Sequence, residues 1–190
     1  QLGGQALFLS NRDLQLGRGE PIKDTARVMS RYLDGIMIRT FGHDRVEEFA
    51  KWSDVPVINA LTDLLHPCQV LTDLLTIQEH KGKNLKGLKM AYVGDGNNMT
   101  NSYMYGCAKA GIDFVSANPK GFEPDMQVFE NACKDAEETR ASIKLVNDPF
   151  EAAKDADIVV TDTWASMGQE DEHEERKKIF KDYQVNAELL

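Results

Sequence analysis

The sequence is poor in cysteine and in positive charge, and it has no long hydrophobic run. Its three cysteines among 190 residues lack both the spacing of a metal site and the density of a disulfide-stabilised domain. Lys and Arg number 22 against 31 Asp and Glu, a net charge of −9 that argues against a nucleic-acid partner, since phosphate binding needs clustered cations. No apolar run approaches the ~20 residues of a membrane span, so no membrane partner is expected.

A secretory signal is also missing from the first residues, because no basic stretch precedes an apolar one. We therefore expect a cytoplasmic location. Of the whole chain, 42% is hydrophobic and 28% is charged, which is an ordinary mixture for a globular protein. The length suits one large domain or two small ones.

Short apolar runs alternate with amphipathic helical patterns along the chain. Apolar runs that predict strands include residues 6–10, 36–39 and 88–93. A long helix is predicted at residues 66–80, with Leu71, Leu74 and Leu75 facing the core. Such alternation is typical of parallel sheets covered by helices on both faces. We therefore predict an α/β fold of two doubly wound, Rossmann-like parallel-sheet units joined by that helix.

The polar, glycine-containing stretch at residues 81–89 is the best candidate for a domain boundary. We accordingly predict one domain at residues 1–80 and another at residues 81–190. The charged stretch at residues 170–178 is predicted to be a solvated helix face, although a binding tail is the alternative.

Two groups of polar residues in the first domain suit a carbonyl-containing anion. Arg39 follows an apolar strand, where a guanidinium can donate to a phosphate or carbonyl oxygen. His66 and Gln69 stand three apart at a helix start, which favours anions, and their side chains face the same way. The imidazole can donate to a carbonyl oxygen and the amide can accept from an NH2 group. The alternative for Arg39 is a surface ion pair. The alternative for the other two residues is that His66 caps the helix and that the Gln69 amide faces solvent.

The turn at residues 94–98, GDGNN, resembles the opening of a dinucleotide fingerprint. Met99 occupies the third glycine position, and the next strand ends without an acidic residue for a ribose, so nucleotide binding is not expected. Asn98 can instead hydrogen-bond a carboxylate. The alternative is a structural turn with Asn97 in a left-handed conformation.

A last polar group follows an apolar strand at residues 158–161. The Asp162 carboxylate there can pair with an ammonium, and Ser166 and Met167 lie in the loop beyond it. The alternative is that Asp162 caps a turn.

Three of these segments, HPCQ at 66–69, GDGNN at 94–98 and DTWASMG at 162–168, resemble in order and separation those of the aspartate/ornithine carbamoyltransferase family. The resemblance covers essentially the whole chain, and its third segment points to ornithine over aspartate as the acceptor. It implies transfer of a carbamoyl group from carbamoyl phosphate to the side-chain amine of L-ornithine, giving L-citrulline and phosphate. It also implies no metal or organic cofactor and a homotrimer or higher homo-oligomer.

The resemblance implies that residues 1–80 are the C-terminal part of a carbamoyl phosphate-binding domain and that residues 81–190 are an ornithine-binding domain. It also assigns candidate residues to each substrate. The implied carbamoyl phosphate ligands, of which Arg39 and His66 would polarise the carbonyl group, are Gln15, Arg39, His66 and Gln69. The implied ornithine ligands are Leu61, Asn98, Asp162, Ser166 and Met167. Taken alone, Gln15 reads as a solvent-facing loop amide.

Two motifs of the family do not occur in the chain. A phosphate-binding Ser-Thr-Arg-Thr segment is expected before Gln1, and a His-Cys-Leu-Pro segment beyond Leu190. The chain therefore resembles a central fragment whose first domain is incomplete. A non-catalytic amino-acid-binding module and a carbamoyltransferase with another amine acceptor are the alternatives. An aspartate acceptor would need basic groups that residues 162–168 do not supply.

Overall fold

The computed structural model describes residues 3–165 and 173–190. The chain divides into two compact units, Gln1–Ala60 and Leu61–Leu190. Helices alternate with strands, and the four-stranded sheet is parallel, so the predicted α/β class is confirmed. The helix at Pro67–Lys81, which was predicted to join the two units, lies entirely within the second unit. The units therefore divide at residue 60, whereas the predicted boundary at residue 80 falls near the end of that helix. The assignment of a substrate to each domain stays a prediction.

The first unit combines a two-stranded sheet with short helices. Its elements are a 3-10 helix (Gln15–Arg18), α1 (Ile22–Met29), β1 (Ile36–Arg39), α2 (His43–Trp52) and β2 (Val57–Leu61). Its small core centres on Ala26, Ile36 and Phe49. The strand predicted at residues 6–10 does not form, and Phe8 is 94% exposed. A strand needs a neighbour for its backbone N–H and C=O groups, and no described strand pairs with this run.

The second unit is doubly wound. Its elements are α3 (Pro67–Lys81), β3 (Lys89–Val93), α4 (Asn98–Ala110), β4 (Asp113–Ala117), α5 (Met126–Thr139), β5 (Ile143–Val146), α6 (Pro149–Ala153), β6 (Ile158–Val160) and α7 (His173–Ile179). The sheet order is β5-β4-β3-β6. One sheet face packs Met90 and Phe114 against α4 and α5, and the other packs Val93 and Ala117 against α6. Both faces are covered, so the strands are mostly apolar.

Helix α3 turns a different face to the core than the sequence predicts. Val70 and Ile77, seven positions apart, are its buried residues. Leu74 packs beside them, but Leu71 and Leu75 are 66% and 56% exposed, so their predicted core position is wrong. The helix carries two apolar stripes, and only packing on α4 decides which one is buried. Among the described residues, no helix is both long and apolar enough to cross a membrane.

The sheet order reverses at β3. This strand pairs on one side with β4, which follows it in the chain, and on the other side with β6. The turns after β3 and β6 therefore meet at the carboxyl edge of the sheet, which is where open α/β sheets bind their ligands. Gly96 in the first of these turns has no room for a side chain, since a Cβ atom would lie 2.3 Å from the backbone of Glu123 and Pro124.

Candidate active site

The turns after β3 and β6 join directly. The Asn97 side chain caps α4 by accepting hydrogen bonds from the backbone N–H groups of Met99 and Thr100. Its Nδ2 donates to Asp162 Oδ2 at 3.1 Å. The cap that starts α4 thus also orients the carboxylate that follows β6. Asn97 carries no left-handed strain here, because its φ is −92°.

The start of α4 is also tied to the start of α3. Asn98 Nδ2 donates to the carbonyl oxygen of Thr62 at 2.8 Å, next to the buried Leu61. The backbone N–H of His66 donates to Ser102 Oγ at 2.7 Å, and that hydroxyl donates to the carbonyl oxygen of Asn98 at 2.6 Å. These hydrogen bonds therefore link the chain segments that carry Leu61, His66, Asn98 and Asp162.

Gln69 lies in the first turn of α3 and is linked through Asp73 to Tyr103, two residues that the sequence motifs did not single out. Its Nε2 donates to Asp73 Oδ1 at 3.0 Å, and the hydroxyl of Tyr103 donates to Asp73 Oδ2 at 2.7 Å. Burial raises the pKa of Tyr103, and the hydrogen bond to Asp73 adds to the rise. The hydroxyl thus stays protonated and acts as the donor. The four-residue spacing of Gln69 and Asp73 on one helix face was the signal available in the sequence.

A buried ion pair connects the two turns to helix α7. Arg176 Nη1 of α7 lies 2.7 Å from Asp95 Oδ2, and both side chains are 8% exposed. The same nitrogen donates to the carbonyl oxygen of Trp164 at 3.0 Å. The guanidinium also lies 5.1 Å from the ring centre of Phe122, within range of a cation–π contact. Burial raises the pKa of Asp95, and Arg176 opposes that rise.

This pair corrects, at Arg176 alone, the prediction that residues 170–178 form a solvated helix face, of which residues 170–172 lie outside the described residues. Glu174, Glu175, Lys177 and Lys178 are exposed, but Arg176 is buried. Its partner Asp95 lies 81 positions earlier in the chain, so no local pattern could reveal the contact.

The remaining candidates belong to the first unit or fall outside the described residues. Gln15 begins the 3-10 helix and Arg39 ends β1, both in the first unit and both exposed. Ser166 and Met167 lie outside the described residues. A cavity of about 210 Å³ beside the second turn is lined by Asp162, Thr163, Trp164, Ala165 and Lys177.

The polar side chains at this edge suit an organic ligand. Within residues 3–165 and 173–190, no cluster of three or more His, Cys, Asp or Glu side chains could hold a metal. The described side chains at this edge include the His66 imidazole, the amides of Gln69 and Asn98, and the carboxylates of Asp73 and Asp162. Such a set can hydrogen-bond a carbonyl group or an amino acid.

Comparisons with known proteins agree with this geometry. The family model described as "Aspartate/ornithine carbamoyltransferase, Asp/Orn binding domain" matches residues 86–190. The model described as the carbamoyl-P binding domain of the same family matches residues 1–79. An ornithine carbamoyltransferase of Bacillus subtilis is 58% identical over 190 residues, which is 100% of this chain and 59% of that protein.

Solved structures give the same picture. The ornithine carbamoyltransferase of Pyrococcus furiosus superposes with a TM-score of 0.92 and 55% identity, covering 99% of this chain and 60% of that one. The anabolic enzyme of Campylobacter jejuni gives a TM-score of 0.89 and 46% identity, covering 99% of this chain and 62% of that one. The chain thus spans about three fifths of the length of the relatives it matches.

Proposed function

Since this chain belongs to the aspartate/ornithine carbamoyltransferase family, we propose that it is part of a subunit that makes L-citrulline. The reaction transfers a carbamoyl group from carbamoyl phosphate to the side-chain amine of L-ornithine and releases phosphate. The observation that carries the proposal is the Asn97–Asp162 hydrogen bond, which joins two family segments 65 positions apart at the ligand-binding edge of the sheet.

Carbamoyl phosphate is the electrophile in this proposal. Arg39 and His66 donate hydrogen bonds to its carbonyl oxygen and stabilise the negative charge that develops there as the amine attacks. Gln69 accepts from the carbamoyl NH2 group, and Gln15 is a further ligand. His66 suits its role because it stands at the N-cap of α3, where the helix dipole favours an anionic group.

L-ornithine is the nucleophile. Asp162 pairs with its α-ammonium group, and Asn98 hydrogen-bonds its carboxylate. Leu61, Ser166 and Met167 complete the proposed set of ligands. Holding the amino acid by its charged end positions the side-chain amine, which must be neutral to attack. The proposal requires no metal and no organic cofactor.

The family resemblance extends the proposal to assembly and location. We propose a homotrimer or a higher homo-oligomer in the cytoplasm. The size of the native particle in solution tests the first of these points.

The test is turnover by the complete native subunit that carries this sequence. With carbamoyl phosphate and ornithine we expect citrulline, and with aspartate in place of ornithine we expect no carbamoylated product. Arg39→Ala should lower turnover ~100-fold, since it removes one donor to the developing oxyanion. Arg31→Ala is the control, because Arg31 makes only an exposed ion pair with Asp54.

Calorimetry completes this test. A catalytic subunit should bind carbamoyl phosphate when no ornithine is present. Binding of ornithine alone, without citrulline formation, would instead indicate an amino-acid-binding module and overturn the proposal.

A further inference from the structure

A hydrogen-bonded chain runs from the core of the second unit to Gln69. Tyr103 is 5% exposed, and its ring centroid lies 6.0 Å from that of Tyr92 and 6.3 Å from that of Phe114. Its hydroxyl donates a hydrogen bond to Oδ2 of Asp73, and Oδ1 of Asp73 accepts a hydrogen bond from the NH2 group of Gln69. The Gln69 side chain is therefore anchored through Asp73 to a packed aromatic cluster.

The direction of each hydrogen bond in this chain follows from chemistry. An ionised carboxylate only accepts hydrogen bonds, so the Gln69 group that faces Asp73 must be the NH2 group. The same rule makes the Tyr103 hydroxyl a donor to Asp73. The amide oxygen Oε1 of Gln69 is then the end available to a ligand, and that end is an acceptor.

We propose that Asp73 is a positioning residue that turns the Gln69 amide to accept from a carbamoyl NH2 group, so that the site selects a carbamoyl over an acyl phosphate; this inference rests on the proposed function. Carbamoyl phosphate and acetyl phosphate share a phosphate and a carbonyl group. They differ in having NH2 or CH3 on the carbonyl carbon. A fixed acceptor binds the NH2 group and is left unsatisfied by the methyl group.

The experiment measures the dissociation constants of carbamoyl phosphate and acetyl phosphate for the complete native subunit and its variants. Asp73→Asn places an amide where the carboxylate was, and this amide can either accept from Gln69 or donate to it. Gln69 then loses its fixed orientation. We expect the preference for carbamoyl phosphate to fall about tenfold, with acetyl phosphate binding unchanged within about twofold.

Tyr103→Phe is the second variant, because it keeps the ring in the aromatic cluster and removes only the donor to Asp73. It should lower the same preference by a smaller factor. Asp135→Asn is the matched control. This change also removes one carboxylate from a helix surface, where Asp135 pairs with Lys109 at 2.7 Å, and it should leave the preference unchanged.

A double-mutant cycle separates positioning from general structural support. In a Gln69→Ala background, Asp73→Asn should have no further effect on the preference, since there is no amide left to orient. A purely structural role would weaken both ligands equally and would persist in that background.

The possible failures can be told apart. If the unmodified subunit does not bind carbamoyl phosphate, the proposed function fails and this inference fails with it. If it binds carbamoyl phosphate but both Asp73→Asn and Tyr103→Phe keep the full preference over acetyl phosphate, only the role of Asp73 is overturned.

Discussion

The charged side chain of Arg176 is buried, so neighbouring groups must supply the interactions that water would otherwise make with its guanidinium. Asp95, the carbonyl oxygen of Trp164 and the ring of Phe122 do so at the back of the two turns. Taking two charges out of water costs several kcal/mol, and their attraction offsets this cost only with good geometry. Removing one partner leaves the other buried without compensation, so this pair makes the position of the turns sensitive to a single side chain.

Arg176→Met should therefore destabilise the protein by ~3 kcal/mol, since the Asp95 carboxylate would stay buried without its cation. Combining it with Asp95→Asn should restore part of that loss. Urea unfolding measures both effects. Lys177→Met is the neighbouring control, because Lys177 pairs with Glu174 at the surface and its removal should cost at most about 0.5 kcal/mol. Equal losses for the two single variants would contradict the structural role of Arg176.

Helix α4 performs two tasks at its first turn. Its cap residue Asn97 satisfies backbone N–H groups through Oδ1 and holds Asp162 through Nδ2. An aspartate could do the first task, since carboxylates cap helices well and suit the positive end of the dipole. It could not do the second, because it has no hydrogen to donate and would repel Asp162.

Asn97→Asp should therefore leave stability nearly unchanged while raising the KM for ornithine severalfold, and Asn97→Ala should in addition lose about 1 kcal/mol of stability. Steady-state kinetics and urea unfolding of the complete subunit separate the two effects. Asp125→Ala removes the cap of α5, which bonds Val128, and should lower stability without changing the KM. An unchanged KM in Asn97→Asp would show that the bond to Asp162 does not position the carboxylate.

At the scale of the whole molecule, the two units differ in how much core they possess. The second unit buries apolar residues on both faces of a four-stranded sheet. The first has one small cluster around Ala26, Ile36 and Phe49, and it exposes Phe8 by 94% and Tyr32 by 81%. A domain of about 60 residues is marginal even with a well-formed core.

Expressed alone, residues 61–190 should unfold cooperatively in urea, whereas residues 1–60 should show no cooperative transition. Circular dichroism across a urea titration measures both. The control is the 190-residue chain itself, whose main transition should match that of residues 61–190. A sharp transition in the short piece would show that its core is sufficient.

Local patterns in the chain were enough to predict the α/β class, most of the helices and strands, and the polar turns that carry the candidate residues. These features depend on periodicity and turn chemistry within a few neighbouring residues, which the sequence displays directly. The predicted strand at residues 6–10 does not form because no described strand pairs with it. The prediction of the buried face of α3 was wrong because the helix has two apolar stripes, and the sequence does not show which one packs on α4.

Contacts between distant segments were decided by the order of strands in the sheet. The pairing of β6 with β3 brings Asp162 to Asn97. The packing of α7 brings Arg176 to Asp95. The packing of α3 on α4 brings Asp73 to Tyr103. None of these pairs has a local signature, because the free energy that forms them comes from burying surfaces that lie far apart in the chain.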